Sequence, residues 1–255
     1  DGRRPSLYCK FVPAPDGNGT VALSWPVSKS LDTTPFVTGY YMAVMKPAGQ
    51  ASPQSYAPLV VRNDASTSAI VVQIPFNTYQ AYNSFGGKSI YEYNSTDGVR
   101  AFKVSFDRPY DYFDGAGVLF WGDYQLIRWI EREGYDVSYV ASSDTDSRPD
   151  LMNNHKAFVS TFHDEYWSAS MRANLDSWIA AGQSVIDAGS LTLGGTKAGV
   201  ANAGLIGTTG GTLTVKGAVT GSGKASIAGG TLDFTASFNQ GVTFTGTTGP
   251  LERAQ

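Results

Sequence analysis

A single cysteine, Cys9, in 255 residues excludes an intrachain disulfide framework and a cysteine-built metal centre. Histidine is nearly as scarce, with only His155 and His163. No apolar run approaches the roughly 18–20 residues that a membrane-spanning helix needs, so insertion into a bilayer is not expected. Charge is sparse as well: 16% of residues are charged and the net charge is −3. That leaves no basic footprint, and nucleic acid is not an expected partner. GxSxG, HExxH, a P-loop and a GxGxxG after a strand are all missing, which removes support for serine hydrolase, zincin and nucleotide-binding chemistry. A signal peptide is missing too, and the first residue is Asp1 rather than Met; a mature or trimmed start accounts for both. Low cysteine fits the cytosol and bacterial secreted proteins alike.

What is present falls into three zones, an α/β part flanked by β-rich parts. Residues 1–68 read as β-rich: "TVALSW", "TGYYMAVMK" and "YAPLVVRND" are β-branched or aromatic runs separated by Pro, Gly, Asn and Asp. In the second run Tyr41, Ala43 and Met45 share one face, and Tyr40, Met42 and Val44 the other. Residues 69–187 alternate strand and helix. "AIVVQIPF" reads as a strand covered on both faces. "GDYQLIRWIEREGY" reads as a helix capped by Asp123, lined by Ile127 and Ile130 and ended by Gly134. Strands "DVSYV" and "KAFVS" follow, with a turn at "SRPD". A helix then places Met171, Leu175, Trp178 and Ile179 at i, i+4, i+7 and i+8, and strand "QSVI" ends the zone. This order predicts a parallel, flavodoxin-like sheet. From 188 to 255, "GSLTLGGT", "GGTLTVKG" and "GGTLDFTA" open at Gly189, Gly210 and Gly229. Self-similarity at about 20 residues with alternating Leu/Val/Phe and Thr suggests a β-solenoid or stacked hairpins. The sheet would otherwise end on an open edge near "QSVI", which the repeats or a partner chain could cover.

Ligands of parallel α/β sheets gather beyond the carboxyl ends of the strands. Two segments lie there: "NTYQAYNSFGGKS" and "TFHDEYW". If their strands are neighbours, Tyr79, Tyr82 and Asn83 could face His163, Asp164 and Glu165, and Gly86-Gly87 would admit a ligand close to the backbone. Each residue has a structural alternative. Tyr79 and Tyr82 read also as wall residues, Glu165 as a first-turn acid, Asp164 as an N-cap or turn residue, and His163 as a hydrogen-bonded structural group. His155, beside a strand start, reads as structural. In "FDRPYDYFD", Asp107, Arg108 and Asp111 suggest an Arg–Asp clamp on the loop, or substrate contacts.

At these residues the chain resembles the large (β) subunit of bacterial N,N-dimethylformamidase and its homologues. The resemblance rests on "GYYMAV", "PLVVRND", "TYQAYNSFGGKSIYEYNS", "KVSFDRPY", "RWIEREGYDVSYV" and "HKAFVSTFHDEYWSASMR", in that order over roughly residues 20–180. It implies a flavodoxin-like or amidotransferase-like domain joined to β-rich parts, and hydrolysis of a small amide at one iron ion. Position by position it implies Glu165, Tyr82 and a tyrosine of "GYY" as ligands. Tyr41 is preferred over Tyr40, though register on that strand is ambiguous by one residue. His163 is implied as the catalytic residue; Tyr79, Asn83, Asp107 and Arg108 stay candidates for the pocket from their places in the chain. Phenolates and a carboxylate are hard donors that suit ferric iron, which polarises an amide carbonyl and activates water. His163 would orient that water or stabilise the tetrahedral intermediate. The chain departs from the family at Phe162, commonly glycine there, which narrows the expected pocket. The resemblance stops near Gly182, after which the Gly/Thr-rich segments resemble repeats of bacterial surface and autotransporter passenger proteins. A truncated amidohydrolase domain fused to a repeat module is therefore one expectation, placed at the bacterial surface or outside the cell, with the cytoplasm as alternative. A non-catalytic surface module with a vestigial metal site is the other, and self-association through the sheet edge or the repeats is expected in either case.

Overall fold

The computed structural model describes residues 12–27, 29–49, 51–52, 55–187, 190–194, 200–208 and 212–244. Cys9 and the repeat-opening Gly189 and Gly210 lie outside them. The chain divides into two compact units. One comprises residues 1–35, 42–59 and 79–118, and the other residues 36–41, 60–78 and 119–255. Strands β1 (Gly39–Met45) and β2 (Ser55–Val61) pair as a two-stranded sheet. "TVALSW", expected as a strand, forms none. It instead runs as irregular chain, with the Leu23 amide donating to the Asp107 carbonyl at 2.7 Å.

The larger unit is α/β and built on a seven-stranded parallel sheet. Its first strands are β3 (Ile70–Ile74), β4 (Val137–Ala141), β5 (Ala157–Ser160) and β6 (Ser184–Asp187). Apolar residues on successive positions make β3 a strand for burial on both faces, and Val71, Val72 and Ile74 are all buried. The helices are α1 (Phe76–Tyr82), α2 (Tyr124–Arg132), α3 (Ser142–Ser147) and α4 (Ala169–Ala180). Helix α4 buries Met171, Leu175, Trp178 and Ile179, the four residues its spacing picked out. Ser168 caps it, accepting from the Met171 amide at 3.0 Å. Ser168→Ala is expected to cost about 1 kcal/mol, readable as a shift in the urea unfolding midpoint. Ile127 and Ile130 are the buried positions of α2, and Gly134 follows it at φ 74°, a conformation that glycine adopts without strain.

Asp123 does not cap α2. Its backbone is helical, its side chain makes no capping bond, and the chain enters α2 from a π-helical turn over Leu119–Asp123. A residue inside continuous helix cannot turn its carboxylate onto the helix's first amides, so the Asp123 side chain is buried instead.

Beyond β6 the sheet does not end. The remaining strands are β7 (Ser190–Gly194), β8 (Val200–Ala201), β9 (Leu205–Thr208), β10 (Thr212–Lys216), β11 (Val219–Thr220), β12 (Lys224–Ile227), β13 (Thr231–Phe234) and β14 (Gly241–Phe244). The full order of the large sheet is β14-β12-β9-β6-β5-β3-β4. Val185, Ile206, Ala225 and Val242 stand side by side across four of these strands. Ser190, Thr212 and Thr231 align likewise in a second sheet, β7-β10-β13, and Val200 with Val219 in a third, β8-β11. Val185, Ile206, Leu213, Val215 and Val219 belong to the same buried cluster as Phe158, Leu175 and Ile179. The edge expected to be open at β6 is therefore paired with β9, within one continuous core. Removing residues 188–255 would strip that pairing and bare part of the cluster. The truncated chain is expected to associate, and a monomeric elution on sizing would contradict this. No helix among the described residues is long and apolar enough to cross a membrane.

Candidate functional site

In the larger unit β3 lies between β4 and β5, so the chain's order across the sheet reverses there. Parallel sheets bind ligands in the crevice outside the carboxyl ends at such a reversal. The segment that leaves β5, Thr161–Trp167, begins there. The neighbourhood of β3 and β5 on which its expected role depended is thus present.

His163 and Glu165 come together in this segment, with Nε2 3.1 Å from Oε2 and side chains 40% and 42% exposed. Asp164, between them, points the other way and is buried. Its Oδ2 accepts from Gln73 Nε2 at 2.5 Å and from Ser160 Oγ at 2.9 Å. Gln73 Oε1 in turn accepts from Thr145 Oγ1 at 2.5 Å, and Thr161 Oγ1 donates to the Gln73 carbonyl at 3.2 Å. Asp123 joins through a hydrogen bond to Thr161. Burial pushes the Asp123 carboxyl up to about 7; the Thr161 bond opposes this and the Asp164 charge adds to it. A second anchor is Thr78, whose Oγ1 accepts from the amides of Glu165 and Tyr166 at 3.0 and 3.1 Å. Trp167 closes the segment, its Nε1 donating to the Asp164 carbonyl at 3.0 Å and its ring edge-on to Phe158.

This arrangement corrects two expectations. Asp164 is not an N-cap, because Ser168 caps α4 and Asp164 serves a buried network. Glu165 is not a first-turn acid, because it lies three residues ahead of that cap. Alternation explains the result: with Asp164 drawn inward, the residues on either side face outward together. Thr78→Val keeps the shape and removes the acceptor, stranding two amides. It is expected to loosen the segment, and faster amide hydrogen exchange at Glu165 and Tyr166 would register the change.

Sequence reasoning missed Gln73, Thr78, Thr145, Ser160 and Thr161. The available signal was Gln73, one amide inside the apolar run "AIVVQIPF", since a buried amide must find partners.

Tyr41 lies in the same unit. Its hydroxyl donates to the Val37 carbonyl at 3.0 Å and its ring is tilted on Phe36. Tyr40 sets its ring edge-on to Phe76, centroids 5.9 Å apart. His155 is buried and structural, as expected, with Nδ1 2.7 Å from the Ser68 carbonyl.

The other candidates belong to the smaller unit. Tyr82 stacks on Tyr91 with centroids 4.6 Å apart, and the Tyr91 hydroxyl donates to that of Tyr82 at 2.9 Å. Tyr79 is buried, its ring edge-on to Tyr110. Asn83 is buried as well: its amide donates to Gln80 Oε1 and the Pro109 carbonyl, and its Oδ1 accepts from the Phe85 and Asp111 amides. Arg108 is a clamp, but the expected carboxylate partners are replaced by carbonyl oxygens of Gln80, Phe85 and Lys88 and by Gln80 Oε1. Carbonyls suffice because they turn inward at this loop, and burial holds the guanidinium down to about 10. The Asp111 carboxylate accepts from Ser84, and that of Asp107 accepts from Ser105 Oγ at 3.4 Å. Gly86 and Gly87, at φ 76° and 80°, are closely packed: a Cβ there would strike Val21 and Thr96.

Fold and segment together define an α/β protein with a half-exposed histidine–glutamate pair beyond the carboxyl ends of a parallel sheet. The family profile described as N,N-dimethylformamidase beta subunit-like, C-terminal, matches residues 8–190, and the chain belongs to that family. Comparison with curated proteins gives no match.

Proposed function

We propose that the chain is an iron-dependent amidohydrolase of the dimethylformamidase type, acting on a small linear amide. The observation that carries this is the His163–Glu165 pair, 3.1 Å apart, at the sheet's reversal point in a member of this family. Tyr82 and Tyr41 would give phenolates and Glu165 a carboxylate, a hard-oxygen donor set of the kind ferric iron takes. Two observations bear on the fit. The Tyr91 hydroxyl donates to Tyr82, so the Tyr82 oxygen already serves as an acceptor. Glu165 is a half-exposed carboxylate with Oε2 3.1 Å from His163 Nε2. Tyr41 as a phenolate would give up its bond to Val37, so Tyr40 is the alternative from the same strand.

Bound to these groups, ferric iron would supply Lewis acidity toward an amide carbonyl and a lowered pKa for water. His163 supplies the proton traffic. Water adds its oxygen to the carbonyl carbon while a proton passes to His163 Nδ1, since Nε2 faces Glu165 Oε2. The C–N bond breaks, and that proton goes to the departing amine nitrogen. Glu165 Oε2 keeps the imidazole oriented.

Elemental analysis with a visible spectrum tests the reading. Purified protein is expected to hold about one iron and show a tyrosinate-to-iron band. Tyr82→Phe is expected to bleach that band. Tyr41→Phe and Tyr40→Phe then decide which hydroxyl of "GYY" takes part. Iron-reconstituted protein without the band, together with unchanged iron content in Tyr82→Phe, would remove the assignment.

For the remainder, the three in-register sets of parallel strands support a β-solenoid-like reading of residues 184–244, stacked on a flavodoxin-like sheet. On this reading the Gly/Thr-rich segments extend the scaffold, as in bacterial surface proteins, and secretion or surface display follows. This is also the observation that favours a structural role for the C-terminal segments, even where the crevice is catalytic.

A further inference from the structure

Phe162, directly before His163, has φ 27°. A bulky residue there is strained, and such outliers concentrate at functional sites. Burial does not explain it, because Phe162 remains 37% exposed. Its ring lies over Gly122, in the π-helical turn, where a Cβ would collide with it. The next residue back, Trp121, is 65% exposed with its ring centroid 6.0 Å from that of Phe162. Phe120, half exposed, continues the turn. Turns of this π type recur at functional sites. On its other side Phe162 meets the His163 imidazole edge-on, centroids 6.3 Å apart. The apolar surface is thus continuous with the histidine–glutamate pair.

We propose that Phe162 and Trp121 form an aromatic ledge that selects amides carrying a planar apolar substituent, an anilide-type group, over small N-alkyl amides. The inference rests on the amide-hydrolase reading for the polar end of the ligand and adds the class of its other end. A ring on the ledge gains face or edge contact with Trp121, while the carbonyl faces His163. Two separated methyl groups gain far less.

Binding tests this without turnover. Acetanilide and N,N-dimethylacetamide are titrated into the full-length chain by calorimetry, with Phe162→Gly, Trp121→Ala and thermal unfolding in parallel. The wild type is expected to bind acetanilide about tenfold tighter than dimethylacetamide. Each variant is expected to weaken acetanilide about 3–10-fold and leave dimethylacetamide unchanged. Phe162→Gly, relieved of its positive φ, is expected to unfold at the wild-type temperature or above. Equal binding of the two amides, binding of neither, or variants that keep the wild-type ratio would overturn the ledge. If the ratio holds but neither amide is hydrolysed, the hydrolase reading fails and the ledge stands.

Discussion

If the chain is the proposed iron amidohydrolase, His163→Ala is expected to slow amide hydrolysis by about 10²–10⁴-fold with iron content unchanged, while Glu165→Gln is expected to lose the iron itself. The two residues share one short contact, so their separation by experiment is the sharpest test of the roles given to them. The imidazole is half exposed, and its removal leaves no cavity in the core. Lost activity in His163→Ala can then be read as lost proton transfer rather than misfolding. Glu165→Gln keeps the shape and an acceptor for His163, but removes the charge that would balance a cation. Iron determination beside turnover on the same preparations checks both. If His163→Ala lost iron in step with activity, its part would be to hold Glu165 rather than to move a proton.

The second large effect lies beneath that pair. Asp164→Ala would leave Gln73 Nε2 and Ser160 Oγ, which now donate to Asp164, buried without an acceptor. A penalty of about 3–5 kcal/mol is expected, seen as a lower urea midpoint with the same slope. Asp123 adds a dependence on pH. Its carboxyl titrates near 7 when folded and near 4 when unfolded. Between those values the folded state holds a proton that the unfolded state has released. Stability therefore falls as pH rises from about 4 to 7, by a few kcal/mol in all. Asp123→Asn is expected to lose this slope, so its midpoint should change less than the wild type's between pH 5 and pH 8. Parallel midpoints for the two proteins would show that the proton resides elsewhere.

The α4 face, the two-sided burial of β3 and the stop at Gly134 were readable because each follows from local periodicity or backbone freedom. "TVALSW" was misread because a β-branched run becomes a strand only if a neighbour pairs with it, which composition does not supply. Asp123 and Asp164 were misread for one shared reason. An acid at a helix start usually serves the exposed amides, and only the tertiary fold brings Thr161, Gln73 and Ser160 round to compete for it. Arg108 shows the same limit, since nearby Asp107 and Asp111 suggested a partner in sequence while carbonyls brought in by the loop took the role. The pairing of His163 with Glu165 was half visible: their alternation was in the sequence, but what turned Asp164 inward was not.

The side-by-side placement of Val185, Ile206, Ala225 and Val242 has a consequence for how such a protein can change over time. On the β-solenoid-like reading, growth would happen at the far margin of the sheet, where each added length of chain needs only a copy of the preceding one as its template. Duplicating residues 205–223 would then lengthen the scaffold by one layer, while the segment after β5 kept its geometry. Size and chemistry are thereby uncoupled, and relatives of quite different length could carry the same crevice.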